Sequence, residues 1–413
     1  MTGSAPADAA TVGRAGASPG VAPRRALFAF ASVSFAYFAY AGLAGTYAPL
    51  WFQSLGFSTL AIGALASVQS ATRLFSPYAW GWLADHTGKR TQLLRAAAVL
   101  ALFSALGYFV SPAYAWIAGV TVALFISTAG VIPISEAALA HLVSSGATLD
   151  AGRYGRVRLW GSVGFIVAVV GSSVLLQAMG VGRYPWLVVA LLGLLLVAAL
   201  RLPVVTEASH AEDAAPGALA VLREPVVAWF FAGVFFTVLA HTSLYAFFSL
   251  YLVSIGYSKS AVGVVWAIGV AVEVAWFWFQ GRWLARMSAH AWLLVAALVT
   301  MLRMAMIAAW GATPWLLVVA QCTHAITFAA QHSSCIAVIN RHFPGRLRGR
   351  GQALYTVLGY GASGVIGGLA GGALSEAYGF AAVFWAASAA AGVAALCCWR
   401  AWRLSRPDRV PSR

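Results

Sequence analysis

Long apolar stretches, nearly free of charge, follow one another along this chain at 27–52, 59–84, 92–110, 113–140, 155–179 and 184–201, and again at 226–254, 260–284, 291–309, 314–340, 351–375 and 380–400. A membrane crossing needs about 20 such residues. In hydrocarbon the backbone must satisfy its own polar groups, which at this length means helices. The expectation is an all-α integral membrane protein with twelve transmembrane helices that use nearly all of the 413 residues. Only 9% of residues are charged, against about 25% in soluble domains, so a soluble fold is excluded.

Twelve crossings place both termini on one face. Residues 1–25, rich in Ala, Gly, Ser and Pro, read as a disordered tail. Arg24-Arg25 could open an export signal, but no cleavage-like region follows and eleven more spans do, so 27–52 reads as a first span. Of 26 Lys and Arg, Arg183 and Lys259 fall in loops of the far face, Arg73 and Arg303 lie inside spans, and the other 22 lie on the face of the termini. Cytoplasmic loops carry the positive charge, so both termini are expected in the cytoplasm. The net charge of +15 then reports topology, not nucleic-acid binding.

The longest inter-span segment, 202–224, contains Glu207, Glu212, Asp213, Pro203 and Pro216 and reads as a cytoplasmic linker between bundles at 26–201 and 225–403, with a cytoplasmic tail at 404–413. A shift of 200 residues aligns Gly56/Gly256, Phe57/Tyr257, Ser58/Ser258, Gly63/Gly263, Gly81/Gly281 and Leu93-Leu94/Leu293-Leu294 without a gap. Parallel repeats of this kind are a transporter feature, with solute bound near the midplane where the halves meet. At the same shift Arg73 aligns with Glu273.

Ionisable residues inside a span cost at least about 2.5 kcal/mol and normally face the bundle interior or a water-filled cavity. Arg73, Glu136, Glu273 and Arg303 are the plain cases. At helical spacing Arg73 is flanked by Gln69, Ser76, Pro77 and Trp80, and Glu273 by Trp266, Gly269, Trp276 and Gln280. Both stripes are expected to face the cavity. Arg73 and Glu273 read either as a structural ion pair or as a transport site, in which a desolvated carboxylate exchanges protons nearer neutral pH than one in water and an arginine holds an anion bidentately.

His241, His324 and His332 lie in spans; His324 is one crossing from the helices of Glu273 and Arg303, which suits a relay or a substrate contact. Gly364, Gly368 and Gly372, within the dense set Gly359, Gly361, Gly364, Gly367, Gly368, Gly371 and Gly372, repeat every four residues, a spacing that lets helix backbones approach closely. Cys322, Cys335, Cys397 and Cys398 fall in spans with neither a disulfide framework nor zinc spacing. Enzymatic motifs, among them H-E-x-x-H, G-x-S-x-G and the P-loop, are absent, so no enzyme, cofactor or metal is expected. A membrane hydrolase would have only Ser333 or Ser334 near His332 to use.

The run Gly81-Trp-Leu-Ala-Asp85-His-Thr-Gly88-Lys89-Arg90 resembles the helix 2–3 loop of the major facilitator superfamily, whose fold is twelve helices in two pseudo-symmetric six-helix bundles. The resemblance implies a cytoplasmic latch, with Gly81, Asp85, Gly88, Lys89 and Arg90 gating and Asp85 set near the start of helix 11, where a carboxylate is favoured. Here His86 stands where the family usually has Arg, and the repeat copy, Gly281 to His290, has no aspartate.

"YGRVRLWGSVGF" at 154–165, "SAVGVVWAIGVAVEV" at 260–274, Leu302-Arg303 and "PWLLVVAQCTHAITF" at 314–328 look like the phenylpropionate permease branch, which implies proton-coupled import of an aromatic acid. More distantly they resemble the lactose permease. That likeness sets Glu136, Arg158, Glu273, Arg303 and His324 on a proton-coupled constellation, with Gln321 in place of a lysine, Thr327 in place of the helix 10 carboxylate and Phe165 in place of a tryptophan.

The reading is a monomeric transporter of the bacterial inner membrane that imports a small organic solute with protons by alternating access. Its expected substrate contacts are Arg73, Trp80, Arg158, Phe165, Trp266, Arg303, His324 and Phe328, and its proton-coupling residues Glu136, Glu273 and His324. By depth, Glu136 and Arg158 lie toward the cytoplasm and can pair there, while Arg73, Glu273, Arg303 and His324 lie near mid-span. A sugar or nucleoside symporter and a drug or metabolite exporter of the same fold are the alternatives. A receptor or membrane enzyme would need a constellation that the sequence lacks.

Overall fold

The computed structural model describes residues 24–145, 148–204 and 218–405. Most of the expected N-terminal tail, the last residues of the C-terminal tail, and Glu207, Glu212, Asp213 and Pro216 of the expected linker lie outside the described residues.

Ten of the expected spans are single helices long and apolar enough to cross a membrane: α1 (Arg24–Ser54), α3 (Arg90–Phe109), α4 (Tyr114–Leu142), α5 (Gly152–Met179), α6 (Val181–Leu200), α7 (Pro225–Ser254), α8 (Lys259–Phe279), α9 (Ala289–Trp310), α11 (Arg348–Tyr378) and α12 (Phe380–Ser405). The other two, α2 and α10, are broken. α2 consists of Thr59–Thr72 and Ser76–Thr87. α10 runs through Pro314–Cys322, a π-helical turn at Ala325–Ala330 and Gln331–His342. A two-residue antiparallel ladder, Ser144 with Leu149 and Ser145 with Thr148, is a small addition to the all-helical expectation.

The break in α2 has a local cause. Pro77 has no N–H to offer the carbonyl of Arg73, and its ring crowds that carbonyl. The chain answers with tighter bonds to the third residue back, from Arg73 N to Ser70 O (3.2 Å), Leu74 N to Ala71 O (3.0 Å) and Phe75 N to Thr72 O (3.4 Å). Arg73 therefore ends one helical piece, and the stripe expected through Gln69, Ser76 and Trp80 is interrupted at its centre. Ser76 is buried at 1% exposure while Arg73 is exposed.

The repeat seen in sequence is a repeat of local structure. Gly56 and Gly256 adopt φ of 84° and 98°, values that a side chain would resist. The Phe57 amide donates to Phe52 O and the Tyr257 amide to Leu252 O. Ser58 and Ser258 then cap α2 and α8, their hydroxyls accepting from the Ala61 and Ala261 amides, which satisfies one otherwise orphan donor at each helix start. One apolar core is built mainly from α1 to α6, and two more from α7 to α12.

The two halves meet along α2 with α11, α5 with α8 and α1 with α7. Gly63 and Gly368 let α2 and α11 touch backbone to backbone, and Gly364 and Gly372 lie against Ser70 and Leu60, as the four-residue glycine spacing leads one to expect. Glu376 of α11 accepts from the Leu60 amide at the start of α2 (3.1 Å), and Gln177 of α5 accepts from the Lys259 amide at the start of α8 (2.9 Å). Each half thus caps a helix of the other at equivalent places. With Thr59 to Gly372 O and Ser67 to Val365 O, these are the hydrogen bonds that join the halves among the described residues. All lie in the half of the molecule away from the chain termini, so the halves are closed together on that face.

Candidate functional site between the halves

In the second half α8, α9 and α10 enclose a buried guanidinium. Arg303, 2% exposed, donates from Nη1 to Thr327 Oγ1 (2.9 Å) and from Nη2 to Gln321 Oε1 (2.8 Å), and Nη1 also lies 2.9 Å from His324 Nδ1. The other ring nitrogen of His324, Nε2, lies 3.5 Å from Glu273 Oε2. Arginine keeps its proton, so Nη1 donates and Nδ1 accepts; the ring N–H is then on Nε2, facing the Glu273 carboxylate at ion-pair distance. One fixed tautomer links Glu273, His324 and Arg303. Gly269 leaves the room for Gln321 and the His324 ring.

Gln321 and Thr327, which depart from the lactose permease pattern, are here the two neutral acceptors of Arg303. A carboxylate at either place would have neutralised the guanidinium directly. As built, Glu273 is the one carboxylate in this cluster, and it acts through an imidazole. Burying an arginine without a paired anion is costly, and the hydrogen bonds of Nη1 and Nη2 offset part of that cost. Arg303 Nε and Gln321 Nε2 remain without partners.

Beyond His324 the rings form a ladder along α10. His324 stacks on Phe328 (centroids 5.2 Å, planes 6° apart), and Phe328 stacks on His332 (6.2 Å, 11°). His332 Nδ1 lies 3.2 Å from Tyr355 Oη, which lies 3.2 Å from Tyr360 Oη. Phe328 falls in the π-turn of α10, and Tyr355 and Tyr360 in a second π-turn of α11, Tyr355–Ala362. Such turns recur at functional sites.

The first half presents a partly exposed ion pair. Arg158 Nε donates to Glu136 Oε1 at 2.9 Å, and its guanidinium carbon sits 4.2 Å from the centre of the Phe38 ring, a cation–π contact. Gly161 makes room for both Phe38 and Arg158. Glu136 and Arg158 thus pair with each other, and Glu273 with His324.

The Arg73 side chain makes no hydrogen bond and no ion pair with any described residue. It is exposed at the break in α2, the helix along which the first half meets α11 of the second. The structural ion pair with Glu273 is absent in this state, where the partner of Glu273 is His324. The stripe around Glu273 faces α9 and α10 more than open space: Trp276 packs on Trp292 (5.5 Å), and Gln280 Oε1 accepts from Ser333 (2.8 Å).

The aromatic candidates are engaged in packing. Trp80 Nε1 donates to Ile126 O (2.8 Å), and its ring covers Gly130. Trp266 Nε1 donates to Ser249 (3.1 Å), and Phe165 lies on Gly42. His241 is buried, with Nδ1 2.8 Å from Thr237 O. The sequence reading did not single out Phe38, Tyr37 or Tyr355. Their signal was an aromatic residue near a charge of another helix, which no spacing rule reveals.

At the α2–α3 loop, Asp85 pairs with Arg90 (3.1 Å) within the loop itself, and among the described residues no ion pair ties it to the start of α11. Gly88 closes the helix before it with φ of 63°. Asp85, expected to latch the face of the termini, is thus engaged by its own loop while the opposite face is closed. Cys335, Cys397 and Cys398 are buried free thiols and Cys322 is an exposed one.

Residues 27–386 match the family described as MFS_1 like family. The chain is 29% identical over 358 residues to a probable 3-phenylpropionic acid transporter of Escherichia coli (strain K12), covering 84% of this chain and 92% of that one. It is 28% identical over 335 residues to a maltose permease of Geobacillus stearothermophilus, with 79% and 82% covered. Among solved structures, nucleoside transporter NupG superposes with a TM-score of 0.80 at 17% identity, over 91% of this chain and 99% of that one.

Proposed function

The chain belongs to the MFS_1 like family and is a multi-pass membrane transporter of the major facilitator type, and from that premise we propose that it imports a small aromatic monocarboxylate together with protons. The observation that carries this reading is Arg73: a cation at a helix break between the halves with no anion of its own. A charge inside a membrane needs a partner, and a substrate carboxylate is that partner. Arg158, on the α5 helix that packs against the α8 helix of Glu273, holds the second oxygen or takes over as the halves move.

Glu273 carries the proton in this reading. With Glu273 ionised, His324 bridges it to Arg303. With Glu273 protonated, that bridge weakens and the guanidinium loses its only counter-charge, which favours entry of the anionic substrate beside it. Proton and anion then enter as a neutral set, and binding of both selects the state in which the halves swing. Glu136 holds Arg158 until substrate competes for it. The apolar wall around these few polar groups, with Phe38, Phe165 and Phe328 nearby, suits an aromatic body. We assign the termini to the cytoplasm on the distribution of Lys and Arg, and the protein, as a monomer, to the bacterial inner membrane in keeping with its bacterial relatives.

A second reading rests on the Glu136–Arg158 pair, whose side chains stay 35% and 38% exposed. A carboxylate and a guanidinium side by side offer both acceptors and donors to a neutral polyol, which favours a sugar or nucleoside.

Uptake of labelled phenylpropionate into proteoliposomes, with and without an inward proton gradient, tests the first reading. Accumulation that depends on the gradient and is lost in Glu273→Gln supports it. Equal uptake in both conditions defeats the coupling, and competition by maltose or a nucleoside but not by phenylpropionate transfers the case to the second reading.

A further inference from the structure

The three histidines inside spans stand in different situations. His324 has both ring nitrogens engaged, Nδ1 by Arg303 and Nε2 facing the Glu273 carboxylate. His241 has Nδ1 at Thr237 O, and its Nε2 is buried without a partner. His332 is half-buried, and its Nδ1 lies 3.2 Å from Tyr355 Oη. Its Nε2 has no hydrogen-bond partner among the described residues and, unlike that of His241, is not buried. It is the free polar point of the ring ladder on α10.

The ring is held in place from two sides. Phe328 stacks on it (6.2 Å, 11°), and Tyr355, itself 3.2 Å from Tyr360 Oη, holds its Nδ1 edge. The π-turn of α11 that carries both tyrosines also lies against the break in α2, Gly361 packing on Leu74. His332 and the residue next to Arg73 thus touch one and the same turn. The two phenols also make the open nitrogen adaptable. When Tyr360 donates to Tyr355 and Tyr355 donates to Nδ1, the ring proton is on Nε2, which donates. When the hydroxyls reverse, Nδ1–H donates to Tyr355, Tyr355 donates to Tyr360, and the bare Nε2 accepts. Both arrangements keep the two bonds of the chain. A hydroxyl group both donates and accepts and so fits either arrangement, whereas a carboxylate only accepts and an ammonium only donates.

Resting on the reading of an aromatic acid whose carboxylate is held at Arg73, we infer that His332 is a specificity-determining residue whose Nε2 hydrogen-bonds a hydroxyl on the substrate ring. The substrate class is then the ring-hydroxylated aromatic monocarboxylates. Arg73 on α2 takes the charged end, and His332 on α10 takes the hydroxyl. A site built to pair a substrate hydroxyl disfavours the analogue that lacks it, because its own polar group is left without a partner.

The test is calorimetric binding to the full purified chain of phenylpropionate and of its ortho-, meta- and para-hydroxylated forms. At least one hydroxylated acid binds the wild type about tenfold or more tighter than phenylpropionate does, the gain of one hydrogen bond in a site that needs it. His332→Leu brings the two within about twofold of each other by weakening the hydroxylated acid. His332→Gln, whose amide both donates and accepts, keeps part of the preference. The wild-type comparison decides by itself should His332→Leu fail to run as a single species on gel filtration. Binding of phenylpropionate with no preference for any hydroxylated form, or a preference that survives His332→Leu in folded protein, overturns this inference and leaves the aromatic-acid reading standing. Binding of none of the four acids overturns both.

Discussion

Replacing Gly63 with alanine should open the far face of the molecule. A Cβ at Gly63 would fall inside the contact distance of Gly368 O and 2.9 Å from Gly372 Cα. Both obstacles are backbone atoms, which no rotamer change removes, so α2 and α11 must separate. Overpacking of this kind costs about 1–3 kcal/mol, charged only to the state in which the halves meet on that face. A differential of that size moves a two-state equilibrium by about 5- to 150-fold. The equivalent change in the repeat, Gly263→Ala, meets the Cβ of Ser173 at 2.6 Å, which no rotamer change moves, and the Tyr47 hydroxyl at 2.7 Å, which can shift; with one fixed obstacle and not two, it should shift the balance less. Spin labels on Gln53→Cys and Tyr378→Cys, both exposed positions, in a background lacking the four native cysteines, report the separation by pulsed electron resonance. Gly63→Ala should populate a longer distance more than Gly263→Ala does. Unchanged distances in a folded Gly63→Ala protein, or a larger response to Gly263→Ala, would refute the argument.

Glu273→Gln keeps the bond to His324 but cannot cycle a proton, so it should retain substrate exchange across the membrane while losing gradient-driven accumulation, measured by counterflow against uptake. Arg73→Ala should weaken substrate binding by about tenfold or more, the loss of one charge-assisted contact, seen by calorimetry, whereas Asp85→Asn should leave affinity within about twofold and slow transport; equal loss of binding in both would remove the distinction between contact and gate. Arg303→Met should lower thermal stability by about 1–3 kcal/mol, since it strands Gln321 and Thr327 as buried polar groups, and Thr327→Val in the same background should recover part of it; no change in either would mean the cluster is not holding α9 to α10.

The spans were legible because their signal is length and apolarity, which any neighbour leaves unchanged. The Gly56/Gly256 and Ser58/Ser258 matches were equally direct, since a left-handed glycine and a serine cap are local requirements. Pro77 stood in plain sight, four residues after Arg73, yet a helical stripe was read through it; the proline rule should have prevailed over periodicity. The π-turn of α10 has no proline or glycine to announce it, and depends on how α8 and α9 pack around it. Gln321 and Thr327 looked like losses against a pattern, and only their placement beside Arg303 gives them work. Which face is closed, and hence that Asp85 holds Arg90 and not α11, belongs to one conformational state, and a sequence encodes them all at once.

A continuous helix is a stiff rod, and turning one end turns the other. α2 is two short rods with a joint at Arg73–Phe75. The far rod is pinned to α11 through Gly63, Ser67 and the Glu376 cap, while the near rod, Ser76–Thr87, leans on α3 and α4 of its own bundle. The near rod can therefore swing without prising the far rod loose, so one face can begin to shut before the other lets go. The guanidinium best placed to seize an anion sits on the axle of that swing, where a small pull is converted into rotation with almost no lever arm to waste it.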